Sequence, residues 1–182
     1  IARCGDLDRV WITPEDARAG DDAVRAIADA EIVVLGPGSL YTSLLPALLV
    51  PGIREAIDAS GALVVFACNV ATQAGETSGY DLADHVEALE RHDAGHLPDV
   101  VLANNRLDAR APEGWLGEPV RLRWPPAGEA GGGPRLVLDD LVDPMNAHRH
   151  DPERLASTII GIWEREGGHR RRQGMARVGR AS

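Results

Sequence analysis

Residues Gly36-Pro37-Gly38-Ser39-Leu40-Tyr41-Thr42-Ser43 set two glycines ahead of three closely spaced hydroxyls. Glycine at positions 36 and 38 lets the backbone turn tightly and approach a ligand, and a helix starting behind them would offer unpaired amides to an anion. With Ser39, Thr42 and Ser43 adding hydroxyl donors within one turn, the pattern suits a phosphate group. A plain βα turn with capping residues is the alternative. No Gly-Lys-Ser/Thr follows, so this is not a Walker loop, and the third glycine of the dinucleotide fingerprint is absent.

A second polar stretch, Asn69–Tyr80 (NVATQAGETSGY), gathers Asn69, Thr72, Gln73, Glu76, Thr77 and Ser78 around Gly75 and Gly79. It is long for a connection between a strand and a helix, and loops of that length are usually functional, a solvated surface loop being the alternative. Asp84-His85 follows one turn into a helical pattern. A histidine beside an aspartate invites a general-base reading, set against an ordinary exposed helix face. Glu76, Asp84 and His85 are therefore the candidates for catalysis. In Arg149-His150-Asp151-Pro152, a helix cap explains His150 and Asp151, and Arg149 is the basic residue placed to reach a phosphate. The six histidines are read as scattered rather than as a ligand set, so no metal site is expected.

These residues need elements to bring them together. Ile32–Leu35 and Ala62–Ala67 are short, valine-rich apolar runs, each ending in one of the polar loops and followed by a helical pattern. Parallel strands covered by helices on both faces read this way. The expected fold is α/β, a three-layer Rossmann-like arrangement with a mostly parallel sheet, whose ligands sit at the carboxyl ends of the strands. Both polar loops should open on that edge, and a third strand, Val100–Ala103, delivers Asn104 to it. Helices are expected over Asp22–Ala30, Leu40–Val50 (interrupted at Pro46), Pro51–Ser60, Asp81–His92 and Asp151–Arg165. Further strands are expected at Arg9–Ile12, Val120–Arg123 and Arg135–Leu138, and a mobile loop at Gly128–Pro134. Residues 1–166 read as one domain and residues 167–182 as a basic, disordered tail.

The chain has 182 residues and is 44% hydrophobic, enough for one core. All 19 basic residues are arginine, against 28 acids, and the formal net charge is −9. Five of the arginines lie beyond the last acid, so the body is more acidic still, which argues against nucleic-acid binding. Cys4 and Cys68 make neither a CxxC nor a zinc spacing, which fits a reducing, cytoplasmic setting. No signal peptide or membrane-length apolar run is present. The opening at Ile1, almost directly on an expected strand, reads as an N-terminal truncation.

At LGPGSLYTSLLPALLVPGI, CNVATQAGETSGYDLADHV and HDPERLA the sequence resembles the YvcK group. This is the gluconeogenesis-factor branch of the family that also contains 2-phospho-L-lactate transferase (CofD). The resemblance implies a CofD-like fold lacking its N-terminal strands and their GGGTG nucleotide loop. It also implies a regulatory protein that binds a nucleotide sugar such as UDP-N-acetylglucosamine and is linked to carbon metabolism, cell-wall synthesis and cell shape. Gly36, Pro37, Gly38, Ser39, Thr42, Ser43, Asn69, Thr72, Gln73 and Asn104 would bind that ligand. Trp115, standing where family members carry a tyrosine, would stack on the base, and Arg149 would face phosphate. No tightly bound cofactor is expected, although Mg²⁺ is compatible. The expected partners are cell-wall regulatory proteins and a second copy of the chain, with no nucleic acid and no membrane. Two further readings stay open. One is a CofD-type transfer of phospholactate to a deazaflavin, and the other an inactive truncated fragment with an open sheet edge.

Overall fold

The computed structural model describes residues 7–109, 113–124 and 133–178. Four parallel strands form the central sheet in sequential order: β1 (Ile32–Leu35), β2 (Leu63–Ala67), β3 (Val100–Asn104) and β4 (Arg135–Asp139). All five residues of β2 and all five of β3 are buried. That explains why they read as unbroken apolar runs rather than alternating ones. Alternation survives in which side each residue packs on. Val64, Phe66, Val101 and Ala103 join one cluster, with Ile57 of α3 (Ile53–Ser60) and Val86 and Leu89 of α4 (Leu82–Arg91). Leu63, Val65, Val100 and Leu102 join the other, with Leu155, Ile159 and Ile162 of α5 (Pro152–Val178). The sheet is thus sandwiched between helical layers, as the apolar runs predict. Burial of each Val, Leu or Phe contributes about 1.5–3 kcal/mol.

Helix α1 (Asp21–Ala28) starts with acids at the positive end of its dipole and packs on α3. Between β1 and α3 the chain makes a wide π-helical turn, Leu40–Leu44, that passes into a short α2 (Leu45–Leu49). Pro46, which has no N–H to return to the preceding turn, sits in the first turn of α2 and divides the expected helix there. A separate antiparallel ribbon, β5 (Val142–Asp143) with β6 (Asn146–His150), leads into α5.

Several expectations need correction. Arg9–Ile12 is not a strand; Val10 is fixed instead by donating its amide to His92 Nε2 at 3.1 Å. Val120–Arg123 makes only a single bridge, Asp81 to Arg121, beside a second one at Ala71–Pro119, because this segment crosses two loops rather than joining the sheet. The ribbon β5–β6 was not expected, since NAHRH has almost no apolar alternation. Helix α5 continues to Val178, beyond the expected Arg165, where Arg, Gln, Met and Ala favour a helix and Gly167, Gly168 and Gly174 oppose it. Of the loop expected at Gly128–Pro134, residues 128–132 lie outside the described residues, as do 179–182 of the tail. No helix of the described residues is long and apolar enough to cross a membrane.

Candidate functional site

The two polar loops meet at the carboxyl edge of the sheet. Gln73 Nε2 donates to Ser39 Oγ at 2.9 Å. Asn69 holds the backbone of Gly38 from both sides, accepting from its amide at 3.2 Å and donating to its carbonyl at 2.9 Å. The turn between β1 and these contacts requires glycine: Gly36 has φ 82°, and a Cβ there would lie 3.0 Å from the Ala67 carbonyl oxygen.

The helix end behind this turn is not open to an external anion. Glu76 Oε1 accepts from the amides of Tyr41 at 3.1 Å and Thr42 at 2.9 Å. A carboxylate of the chain itself therefore fills the position in which the sequence reading sets phosphate. Thr42 and Ser43 are exposed and line no part of the cavity described next. Glu76 is occupied in joining the loops, and its contacts give it a positioning task rather than a catalytic one.

Beside this closed end lies a cavity of about 570 Å³. One wall is residues 69–74, with Asn69, Thr72 and Gln73. The facing wall is residues 114–117, including Trp115 and Leu116, and His148 and His150 of β6 complete it, with Ser39 at the end. The walls are tied by backbone bonds from Thr72 N to Glu118 O at 2.8 Å and from Val120 N to Val70 O at 3.1 Å, while Thr72 Oγ1 accepts from the Glu118 amide. Gly117 permits the approach, since a Cβ there would lie 2.3 Å from the Thr72 carbonyl and 2.8 Å from the His148 ring. Trp115 packs on His148 with ring centroids 4.9 Å apart and remains 49% exposed, so one aromatic wall faces outward.

His150 bonds through Nε2 to the Cys68 carbonyl at 3.2 Å. A carbonyl only accepts, so the proton of a neutral ring stands on Nε2 and Nδ1 keeps its lone pair. Burial lowers the pKa of His150 against the opposing pull of that carbonyl, and burial lowers that of His148 too. Both rings are therefore neutral near pH 7. Burial pushes the Cys68 thiol up to about 12, which makes it inert as a nucleophile.

Residues 3–114 match the family described as 2-phospho-L-lactate transferase CofD. The chain belongs to the CofD family. Among relatives of this CofD-family chain, the gluconeogenesis factor of Bacillus subtilis is 32% identical over 168 residues, which cover 86% of this chain and 50% of the relative. The gluconeogenesis factor of Halalkalibacterium halodurans is 48% identical over 98 residues, 54% of this chain and 30% of the relative. A crystal structure of a UPF0052 family member from Bacillus halodurans superposes with a TM-score of 0.71 at 35% identity, covering 85% of this chain and 50% of that one. The chain thus spans half or less of the length of these relatives.

The remaining expected residues of this CofD-family domain lie away from the cavity. Asp84 serves the start of α4: its Oδ2 accepts from the Asp81 amide at 2.8 Å, and its Oδ1 accepts from Arg123 at 2.8 Å. His85 is not on an exposed face as expected. It continues the apolar stripe of Leu82, Val86 and Leu89, is 1% exposed, and donates from Nδ1 to the Asp81 carbonyl at 2.7 Å. Its Nε2 has no partner among the described residues, and the residue lines, with Gly36 and Gly38, a void too narrow for water. Burial lowers its pKa.

Asn104 is buried and spent on local bonds, accepting from the amides of Leu141 at 3.1 Å and Arg106 at 3.3 Å. Arg149 is exposed and does not line the cavity, because strand alternation turns it opposite to His148 and His150. Conversely, sequence reasoning missed His148, Leu116 and Gly117 as wall residues and took His150 only for a cap. The period-two spacing of His148 and His150 was the one available signal. Asp151 is the cap, with Oδ1 accepting from the amides of Glu153 and Arg154.

Proposed function

We propose that this CofD-family chain is a YvcK-like regulatory domain that binds a nucleotide sugar, UDP-N-acetylglucosamine being the probe of choice. The supporting observation is the cavity itself. Its volume of about 570 Å³ is in the range of small-molecule sites, about 300–1,000 Å³. Its walls combine hydroxyl and amide groups from Ser39, Thr72, Asn69 and Gln73 with the outward-facing ring of Trp115. Amides and hydroxyls suit a sugar and the polar edge of a base, and an indole face suits the plane of a base. In this reading the bound state signals carbon and cell-wall status to protein partners, through this chain or a pair of copies. The test is calorimetric titration of the chain with UDP-N-acetylglucosamine. Saturable binding that Gln73→Ala weakens supports the reading, and a flat titration contradicts it.

A second reading, phosphotransfer of the CofD type, is favoured by the family match over residues 3–114. The described cavity walls include no carboxylate. An assay of phospholactate transfer to a deazaflavin separates the two: product formation with Mg²⁺ added would displace the regulatory reading.

A further inference from the structure

A nucleotide sugar carries a pyrophosphate with two negative charges, and nothing permanently positive is available to it in the described walls of the cavity. The lining residues include no Arg, Lys, Asp or Glu; His148 and His150 are the titratable ones. Arg149, between them, is turned to the opposite side and exposed. Glu113 and Glu118 flank the facing wall without lining the cavity, and the helix-end amides nearby are taken by Glu76. A dianion entering such a space must bring compensating charge with it, and histidine is the side chain that gains a charge by binding a proton near neutral pH.

We propose that His148 and His150 form the anion-recognising end of the cavity and take up protons as a phosphate-class group binds. The assignment rests on the nucleotide-sugar reading for the identity of the ligand. As alternate residues of β6 the two share one face, their backbone positions about 6.6 Å apart along the strand, a spacing that lets both side chains meet one pyrophosphate. His150 keeps Nε2 on the Cys68 carbonyl, so its Nδ1 is the atom that would gain the proton. His148 is held by Trp115 and Gly117, which places an aromatic plane directly beside the charged end. The arrangement sets base recognition next to anion recognition. In the free chain burial keeps both rings neutral, and the arriving dianion raises their proton affinity. Binding then gains strength as pH falls, while the ligand's own charge, that of a pyrophosphate diester, stays constant.

The experiment is calorimetry with UDP-N-acetylglucosamine at about pH 6 and about pH 8, in buffers of different ionisation enthalpy, alongside NMR titration of the histidines with and without sulfate. Expected are affinity on the order of tenfold tighter at the lower pH, net proton uptake, and raised midpoints for both histidines in sulfate. In the double variant His148→Gln/His150→Gln the affinities at the two pH values should coincide, whereas His96→Gln, at a distant exposed position, should keep the slope. The NMR measurement uses the unmodified chain and so does not depend on the variant folding. Equal affinities for the sugar nucleotide at both pH values without proton uptake overturn this inference and leave the nucleotide-sugar reading standing. No nucleotide-sugar binding, but sulfate raising both midpoints, supports the anion end and overturns that reading. Silence from both probes overturns both.

Discussion

On one side of Ser39, the amides of Tyr41 and Thr42 end on the carboxylate of Glu76; on the other, Ser39 lines a cavity of about 570 Å³ with no carboxylate or guanidinium in its described walls. Both regions use the same two loops, and the cavity adds a far wall from residues 114–117 and β6. At the first, the chain supplies its own anion and closes the helix end, so the loops are locked together whether or not a ligand is present. At the second, the same loops leave hydroxyls and amides around an open space. Glycine followed by hydroxyls at a strand end identifies a backbone able to bind an anion; it does not say whose anion. The closed end holds the open end in shape.

That division of labour can be broken at the closed end first. Glu76→Ala removes the acceptor of two amides, and hydrogen bonds to a charged group contribute about 1.5–3 kcal/mol each. Urea unfolding should show a loss of about 3 kcal/mol, with Glu76→Gln recovering part of it. A change under about 0.5 kcal/mol would mean that the Glu76 contacts do not lock the loops.

The next effect is at the facing wall. Gly117→Ala sets a Cβ against the Thr72 carbonyl and the His148 ring, and forced overpacking costs about 1–3 kcal/mol. The wall at residues 114–117 must then move off β6, so UDP-N-acetylglucosamine affinity should fall more steeply than thermal stability. Retained affinity would separate the wall from the ligand. Trp115→Ala is the milder counterpart: at 49% exposure the ring contributes little to the core, so stability should change by less than about 0.5 kcal/mol. Loss of a stacking face should still weaken the ligand by about tenfold in calorimetry. If both quantities moved together, Trp115 would be packing rather than a contact.

The sheet and both loops were legible because β1, β2 and β3 are continuous apolar runs with no competing period, and each ends in residues that cannot continue a strand. The meeting of Ser39 and Gln73 follows from parallel strands alone. What was not legible depends on contacts distant in sequence. The amides of Tyr41 and Thr42 look available until Glu76, more than 30 residues on, takes them. Asn104 looks like a ligand residue until Leu141 arrives at its Oδ1. His85 reads as polar helix surface although it lies on the same stripe as Leu82 and Leu89, because a histidine is seldom counted among core residues. The cavity's far wall hangs on Gly117 and on a ribbon, β5–β6, whose sequence carries almost no strand signal.

The smallest expected effect concerns how that far wall is tethered. Arg123, just beyond the strip that pairs with residues 70–72, reaches back to the start of α4 and binds Asp81 Oδ2 at 2.5 Å and Asp84 Oδ1 at 2.8 Å. Burial alone would raise the Asp81 carboxyl, but Arg123 and the Asp84 amide outweigh it, and its pKa lies below the ordinary value of 3.8. A carboxyl depressed in the folded state stabilises fully above that ordinary value, and the contribution disappears as pH falls below it through the folded pKa. Urea midpoints should therefore drop on the acid side of about pH 4, and Arg123→Ala should flatten this limb while lowering stability slightly at neutral pH. If the tether serves the cavity, the same variant should also weaken UDP-N-acetylglucosamine at neutral pH without changing the Glu76 lock. An unaltered acid limb in Arg123→Ala would show that some other carboxylate controls it, and that the wall is held by its backbone bonds to residues 70–72 alone.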